Sequence, residues 1–293
     1  MGQAREANED SYLVAEPSDP AILRARGRLL VVADGMGGHA AGDVASGKIV
    51  EQMRLAESGT TLSSAVTDIE RRLMQVNADL RDLASSKNLS TIGSTFAALL
   101  LNGRFGVVLW VGDSRVYRVR NGEIEQATQD HAFVEDLVEK GILTREDAAT
   151  HPQSNLVTRA VGAQEHLKLD VEIFELGHDD VFVLCSDGLD KEVSEDEIRE
   201  CVLTKPPESI SDELVDLALD RGSRDNVTVA SVTVWDPALP RPTREPAEEV
   251  KELASEDADK AAKTDFGRLL GDEEVTIDRK STRLNSSHSS VSR

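Results

Sequence analysis

Residues 29–42 read LLVVADGMGGHAAG. The branched apolar run from Leu29 to Val32 predicts a buried strand, which delivers one carboxylate, Asp34, onto a glycine-rich loop. A glycine-rich turn after a strand also occurs in dinucleotide-binding folds, and residues 35–40 match GxGxxA. That fold needs a second parallel strand that ends in an acidic residue about 20 positions further on. Here helical sequence follows instead, which argues against a dinucleotide site.

The composition is typical of a globular protein that binds cations rather than polyanions. The chain has 293 residues, 39% of them apolar, which suffice for a sizeable core. Its formal net charge of −21 argues against nucleic-acid binding, because that affinity comes mainly from Lys and Arg that neutralise phosphates. Cys185 and Cys201 lack zinc or redox spacing and are predicted to be core residues. Since no leader and no apolar run near the ~18 residues of a membrane span is seen, we expect a cytoplasmic protein without membrane contact.

The composition changes near residue 236 and divides the chain in two. Residues 1–236 show the apolar runs and turns of a folded domain, whereas residues 237–293 are rich in Pro, Ala and charge and almost lack aromatics. Such a segment buries too little apolar surface to offset its conformational entropy, so we predict a disordered tail. Its last residues, RKSTRLNSSHSSVSR (279–293), resemble translated adapter sequence and are excluded from the fold prediction.

Periodicity predicts two helices followed by hairpins. Apolar residues recur at helical spacing between residues 62 and 84, and another helix is predicted over residues 42–55. Asn102-Gly103 and Asn121-Gly122 are strong hairpin signals, so the strands between residues 94 and 127 are predicted to form an antiparallel meander. Further strands are predicted over 171–176, 180–187 and 226–235, and further helices over 195–203 and 207–221. Helices that bracket hairpin strands favour two packed sheets with helices outside.

An aspartate beside Gly, Ser or Asn recurs at predicted strand ends. The segments are VVADG (31–35), WVGDS (110–114), VLCSDG (183–188) and SRDNVTV (223–229), with NEDSYL (8–13) near the start. Each one alone is compatible with the turn preference of these residue types. Clustered carboxylates, however, repel one another unless a cation lies between them. Oxygen ligands favour Mg²⁺ or Mn²⁺ over zinc, so the pattern predicts a hard divalent cation.

These segments resemble the motif series of the metal-dependent protein phosphatases of the phosphatase 2C type, in the family's order and over roughly residues 2–235. The motifs are REANED (5–10), ADGMGG (33–38), STIGST (90–95), GDSR (112–115), SDG (186–188) and DN (225–226). The resemblance implies an α+β fold, a four-layer αββα sandwich of two antiparallel sheets flanked by helices. It also implies a Mn²⁺- or Mg²⁺-dependent phosphatase that acts on phosphoserine and phosphothreonine in proteins.

The resemblance assigns roles to individual residues. Asp34 would bridge two metal ions, and Gly35 would give its carbonyl oxygen to one of them. The other implied metal ligands are Glu9, Asp10, Asp187 and Asp225, with Asp113 at a possible third ion. Two ions about 3.5 to 4 Å apart lower the pKa of a water molecule and orient it for in-line attack on phosphorus, so no covalent intermediate is needed. Arg5 would grip the phosphate oxygens with its planar guanidinium.

Two departures from the family pattern leave an alternative function open. Met36 stands where some members carry a His that is thought to act as general acid, and a thioether cannot donate a proton. The family usually has a strand before the motif that contains Arg5, so we expect the first strand to be truncated here. A catalytically impaired, metal-binding regulatory module on the same fold is therefore the alternative.

Residues 129–162 correspond to the flap of the family, a segment beside the site. The predicted polar contacts of this flap to substrate are Asn155 and Arg159. The implied partners are phosphorylated proteins, among them a Ser/Thr kinase and its substrates. We expect a monomer.

Overall fold

The computed structural model describes most of the predicted domain. It covers residues 7–16, 23, 27–37, 41–56, 61–236 and 238–240, together with the backbone of residues 283–286. Arg5, predicted to grip phosphate, lies outside the described residues, as does most of the predicted tail.

The described residues form two sheets, and the first of them contains six strands, all paired antiparallel. They are β1 (Asp10–Ala15), β2 (Arg28–Gly37), β3 (Ile92–Ser94), β4 (Phe96–Asn102), β5 (Phe105–Val111) and β8 (Asp170–Glu175). Their order is β1-β2-β4-β5-β8, and β3 pairs with the end of β2. The predicted Asn102-Gly103 turn joins β4 to β5.

The second sheet contains five strands, also antiparallel. They are β6 (Arg115–Arg120), β7 (Glu123–Gln126), β9 (Val181–Cys185), β10 (Val229–Thr233) and β11 (Arg283–Ser286). Their order is β11-β10-β9-β6-β7.

The predicted single meander is wrong, because its two hairpins belong to different sheets. The β4–β5 hairpin lies in the first sheet and the β6–β7 hairpin in the second. The chain crosses between them at Gly112 to Ser114, where Gly112 has a φ of +110°. Such an angle is accessible to glycine but strained for other residues, so the chain can turn sharply there. The turn signals do not record a change of sheet, since both hairpins carry the same Asn-Gly turn.

β2 is buried on both faces, which explains its uninterrupted apolar sequence. Leu29, Val31 and Ala33 belong to the core under the helices, whereas Leu30 and Val32 belong to the core between the two sheets. All of these side chains are at most 2% exposed. A strand with one solvated face would alternate apolar and polar residues instead.

Two helices cover the outer face of the first sheet. They are α1 (Gly42–Arg54) and α2 (Leu62–Ser86). α2 begins with a capping box in which the side chains of Thr61 and Ser64 each accept the other residue's backbone N–H. Its predicted apolar stripe is buried against α1 and the sheet, with Leu73 and Leu80 fully enclosed. The helical layer predicted from periodicity is thus confirmed.

Helices also cover the outer face of the second sheet. They are α5 (Asp187–Asp190), α6 (Glu195–Thr204) and α7 (Ile210–Asp220). Two earlier helices, α3 (Phe133–Glu139) and α4 (Arg145–Ala149), form a small separate cluster. Leu189, Ile198 and Leu214, from α5, α6 and α7, share one core with Tyr117 and Val183 of the sheet. The αββα sandwich is therefore confirmed. Within the part of the chain that is described, no helix combines the length and apolar character needed to cross a bilayer.

One strand comes from the predicted tail. β11 pairs with β10, so that Ala230 lies opposite Ser286 and Thr233 opposite Arg283. These four residues differ from the prediction of a disordered tail, because the outer edge of β10 offers backbone groups to pair with. For the rest of the segment beyond residue 240, disorder stays a prediction.

Candidate active site

The aspartates predicted from the strand-end motifs meet at one end of the sandwich. Asp10 begins β1 and lies opposite Asp34 of β2. Asp113 follows β5 at the crossing between sheets, Asp187 follows β9 at the start of α5, and Asp225 precedes β10. The charges of the other four all raise the pKa of Asp34, which requires them to be near it. Strand ends from both sheets therefore build one acidic cluster, defined here as these five aspartates.

Burial and mutual repulsion make three of these carboxyl groups, those of Asp10, Asp34 and Asp113, hard to ionise. Burial is the main reason that the pKa of Asp34 lies well above its ordinary value, and neighbouring aspartates, led by Asp10, add to the effect. Burial likewise raises the pKa of Asp10 to about 6, although two hydrogen bonds oppose the shift. The pKa of Asp113 rises to about 7 through burial and the charge of Asp187. Carboxylates in this situation favour a cation among them.

Asp10 ties the first sheet to the second. Its Oδ2 accepts hydrogen bonds from Ser186 Oγ at 2.8 Å and from Thr228 Oγ1 at 2.7 Å. Ser186 Oγ in turn accepts the backbone N–H of Thr228 at 3.0 Å. The other oxygen, Asp10 Oδ1, is buried and has no hydrogen-bond partner among the described residues. One oxygen is therefore fixed, and one is left for a ligand.

Asp34 is held by a reciprocal pair of bonds to Thr95, just before β4. The Asp34 N–H donates to Thr95 Oγ1, and the Thr95 N–H donates to the Asp34 carbonyl, both at 2.9 Å. Thr95 Oγ1 also lies 2.7 Å from Ser114 Oγ, at the crossing that carries Asp113. Two of the predicted ligands are thus positioned through one threonine hydroxyl.

Gly35 lies where three backbone segments converge. Its N–H donates to the Glu9 carbonyl at 3.1 Å. A Cβ on Gly35 would lie 2.1 Å from the Gly42 carbonyl oxygen and 2.6 Å from that of Glu9, so no side chain fits. Glu9 is further held by its N–H, which donates to Asn226 Oδ1 at 3.0 Å. The missing side chain therefore lets α1 and the Glu9 segment approach the end of β2.

The charge and the oxygen ligands of the cluster suit a hard divalent cation. Among the residues described, no group of three His, Cys, Asp or Glu side chains is arranged so that it could hold an ion. Asp10 Oδ1 and Asp187 Oδ1 are nevertheless buried oxygens without a hydrogen-bond partner in that part of the chain. Leaving buried carboxylate oxygens unpaired is unfavourable unless they bind a cation. An all-oxygen donor set fits Mg²⁺ or Mn²⁺.

Lys191 brings a positive charge of the chain itself to the cluster. Its Nζ lies 2.5 Å from Asp187 Oδ2, and the two side chains are 34% and 15% exposed. Burial tends to lower the pKa of Lys191, but the charges of Asp187, Asp225 and Asp113 raise it overall. Motif reasoning did not identify this lysine. Its position four residues after Asp187, at the start of a helix, indicates the ion pair, because side chains four residues apart lie on one face of a helix.

A second group of ion pairs, formed by Arg115, lies near Asp113 of the acidic cluster. Arg115 Nη2 lies 2.7 Å from Asp130 Oδ2, and its Nη1 lies 3.1 Å from Asp190 Oδ2. Arg115 Nη1 also donates to the Tyr117 hydroxyl at 3.0 Å. Asp130 and Asp190 were not predicted, since neither stands at the end of an apolar run. The arginine of the GDSR motif thus fixes the start of β6 directly after Asp113.

The predicted flap, residues 129–162, is joined to the crossing between sheets. His131 Nδ1 accepts the Gly112 N–H at 3.0 Å, and its Nε2 lies 3.1 Å from Asp170 Oδ2. Arg159 Nη2 donates to the same Asp170 oxygen at 3.0 Å. Arg159 is therefore paired with β8, and Asn155 is exposed. That both contact substrate stays a prediction.

Gly112→Ala should lower both the melting temperature and the turnover. The φ of +110° is strained for alanine, and the new Cβ would lie 2.7 Å from Thr95 Cβ, the residue that positions Asp34. Strain of about 1–2 kcal/mol plus this collision should reduce the melting temperature by at least about 5 °C, at roughly 2–4 °C per kcal/mol. Thermal melts and phosphopeptide assays measure the two effects.

Gly222→Ala is the matched control, because Gly222 has a φ of +82° with open space around its missing side chain. It should lose some stability and keep its turnover. Equal losses of turnover in both variants would show that the contact with Thr95 is unimportant.

The chain is similar to known proteins over most of its length. The family model described as Protein phosphatase 2C matches residues 6–217. The serine/threonine phosphatase stp of Listeria innocua is 35% identical over 237 residues, which cover 79% of this chain and 92% of that protein.

Solved structures are similar to this chain as well. The serine/threonine phosphatase of S. agalactiae has a TM-score of 0.73 at 32% identity, over 80% of this chain and 96% of that one. The catalytic domain of the serine threonine protein phosphatase PstP, in complex with two manganese ions, has a TM-score of 0.66 at 32% identity. That match covers 79% of this chain and 93% of the other.

Proposed function

Since the chain belongs to the protein phosphatase 2C family and is a protein serine/threonine phosphatase, we propose that its acidic cluster holds two Mn²⁺ or Mg²⁺ ions for the hydrolysis. The observation that carries the proposal is a buried carboxylate oxygen on both Asp10 and Asp187 that has no hydrogen-bond partner among the described residues, in a cluster where burial raises the pKa of Asp10 and Asp34. The two manganese ions in the PstP structure support it.

The proposed ligands are those that the family's motif series implies. Asp34, at the centre, would contact both ions, and Gly35 would add its carbonyl oxygen. The remaining proposed ligands are Glu9, Asp10, Asp187 and Asp225. Asp113 is the residue that would hold a third ion if the cluster took one up.

When bound, the ions supply an activated water for in-line attack on phosphorus and offset the negative charge of the phosphoryl group. The residues of the chain hold this chemistry in place. Thr95 fixes the backbone of Asp34, while Ser186 and Thr228 keep Asp10 from turning. Arg5 remains the proposed phosphate ligand, because a guanidinium can bond two phosphate oxygens at once. We propose no covalent bond between the chain and phosphorus.

Hydrolysis of a phosphothreonine peptide should require a divalent ion. Treatment with EDTA followed by its removal should leave at most about 1% of the activity, since the ions supply several kcal/mol of transition-state stabilisation. Added Mn²⁺ should restore the activity, and release of inorganic phosphate measures both steps. Turnover that survives complete metal removal would contradict the mechanism.

We see no support among the described residues for the alternative of an impaired regulatory module, because the five aspartates of the acidic cluster lie near one another. We propose phosphorylated proteins as substrates, among them a Ser/Thr kinase and the proteins that it phosphorylates. The cytoplasmic location and the monomeric state stay predictions.

A further inference from the structure

We propose that Lys191 acts as an internal cation of the metal site, filling the Asp113 side of the acidic cluster so that the chain takes up two divalent ions rather than three. The inference rests on the proposed function, because it concerns the same cluster. It assigns to Lys191 a role in metal number and affinity, not in the reaction itself.

The lysine is held against one particular oxygen. Its Nζ lies 2.5 Å from Asp187 Oδ2, whereas Asp187 Oδ1 is buried without a hydrogen-bond partner among the described residues. The backbone of Lys191 also returns to Asp187, since its N–H donates to the Asp187 carbonyl at 3.3 Å. The two carboxylate oxygens therefore have separate tasks. One faces the ammonium group, and the other is available to a metal ion.

The surroundings distinguish this contact from an ordinary surface ion pair. An exposed pair of this spacing contributes little, because water screens both charges. Here Asp187 is only 15% exposed, and the ammonium also feels the charges of Asp113 and Asp225. The positive charge of Lys191 attracts the carboxylates of the cluster and repels any further metal ion there. Lys191 should therefore stabilise the metal-free cluster and oppose an ion between Asp113 and Asp187.

The sequence offers a suitable comparison residue. Lys205 pairs with Glu213 at 2.6 Å, with side chains 42% and 45% exposed. This pair has the same chemistry as Lys191–Asp187 and lies between α6 and α7, away from the acidic cluster. Lys205→Met therefore controls for the loss of a lysine ion pair alone.

The experiment counts bound Mn²⁺ by isothermal titration calorimetry on the full chain, with thermal melts at each Mn²⁺ concentration. The unmodified chain should saturate with two ions. Lys191→Met should bind a third, and its melting temperature should rise further at high Mn²⁺ than that of the unmodified chain. Lys191→Arg, which keeps the charge, and Lys205→Met should bind two. Adding Asp113→Asn to Lys191→Met should return the number to two.

The outcomes separate the two proposals. If the unmodified chain binds no Mn²⁺, the proposed function fails. If it binds three ions, or if Lys191→Met binds only two, the inference about Lys191 fails while the proposed function stands. Should Lys191→Met not fold, Lys191→Gln replaces it with the same expected count.

Discussion

Asp34→Asn is expected to reduce hydrolysis of a phosphothreonine peptide at least about a hundredfold, while it raises the melting temperature of the metal-free protein. A loss of 10- to 100-fold is typical when only a supporting partner of a metal ligand is removed, and a central ligand should cost more. Asparagine keeps the size of the side chain and the backbone bonds to Thr95, so the fold should persist.

The stability gain follows from the raised pKa of Asp34. Above the ordinary aspartate pKa the unfolded chain releases this proton freely, whereas burial and the neighbouring aspartates resist its loss in the folded state. The folded state is therefore penalised at pH 8, and asparagine removes the penalty. A gain of 1 kcal/mol would raise the melting temperature by roughly 2–4 °C.

Asp216→Asn is the control, because Asp216 is exposed on α7 with no predicted role. Its turnover should match that of the unmodified protein. If both variants lost activity equally, or if Asp34→Asn melted lower than the unmodified chain in EDTA, the assignment of Asp34 would have to be abandoned.

The second large effect concerns the stabilisation by Mn²⁺, which should grow between pH 5.5 and pH 8. In EDTA the trend is opposite. Asp10 and Asp113 have folded-state pKa values raised to about 6 and about 7, so their contribution to stability is complete below the unfolded pKa and is lost as the pH rises through the folded values. The metal-free protein should therefore melt at least about 5 °C lower at pH 8 than at pH 5.5, at roughly 2–4 °C per kcal/mol.

Mn²⁺ opposes this trend because it binds the cluster once its carboxyl groups are deprotonated. An ion present at 100 times its dissociation constant adds about 2.7 kcal/mol to the free energy of unfolding. Differential scanning calorimetry at several pH values, with Mn²⁺ and with EDTA, measures both trends. A gain from Mn²⁺ of the same size at pH 5.5 and pH 8 would exclude these aspartates as the groups that titrate.

The sequence predicted the layers and the acidic cluster because both depend on local patterns. The apolar stripe of α2 predicts a helix with one buried face, and the apolar run of β2 predicts a buried strand. An aspartate directly after such a run predicts the end of the strand. The assignment of strands to sheets was not predictable in this way. It depends on the turn at Gly112, which packs closely against Thr95 and donates its N–H to His131, and both of these residues are distant in sequence.

The charged residues around the cluster were also not predicted. Lys191, Asp130 and Asp190 are ordinary surface residue types with no apolar run beside them. Their positions follow only from the packing of α5 against the second sheet and from the turn after β7. Chemistry placed at strand ends is therefore visible in a sequence, whereas the counter-charges that tune it are not.

Because residues 29–33 of β2 are apolar on both faces, a slip of one residue against β4 would still bury apolar side chains over this stretch, so polarity alone does not choose the alignment there. The reciprocal hydrogen bonds between Asp34 and Thr95 determine the alignment instead. The hydrogen bonds that place the Asp34 carboxylate thus also fix the alignment of β2 with β4. A molecule that misaligns them would keep a dry, compact interior and lose its chemistry, so inactive but well-packed protein is the expected product of faulty folding.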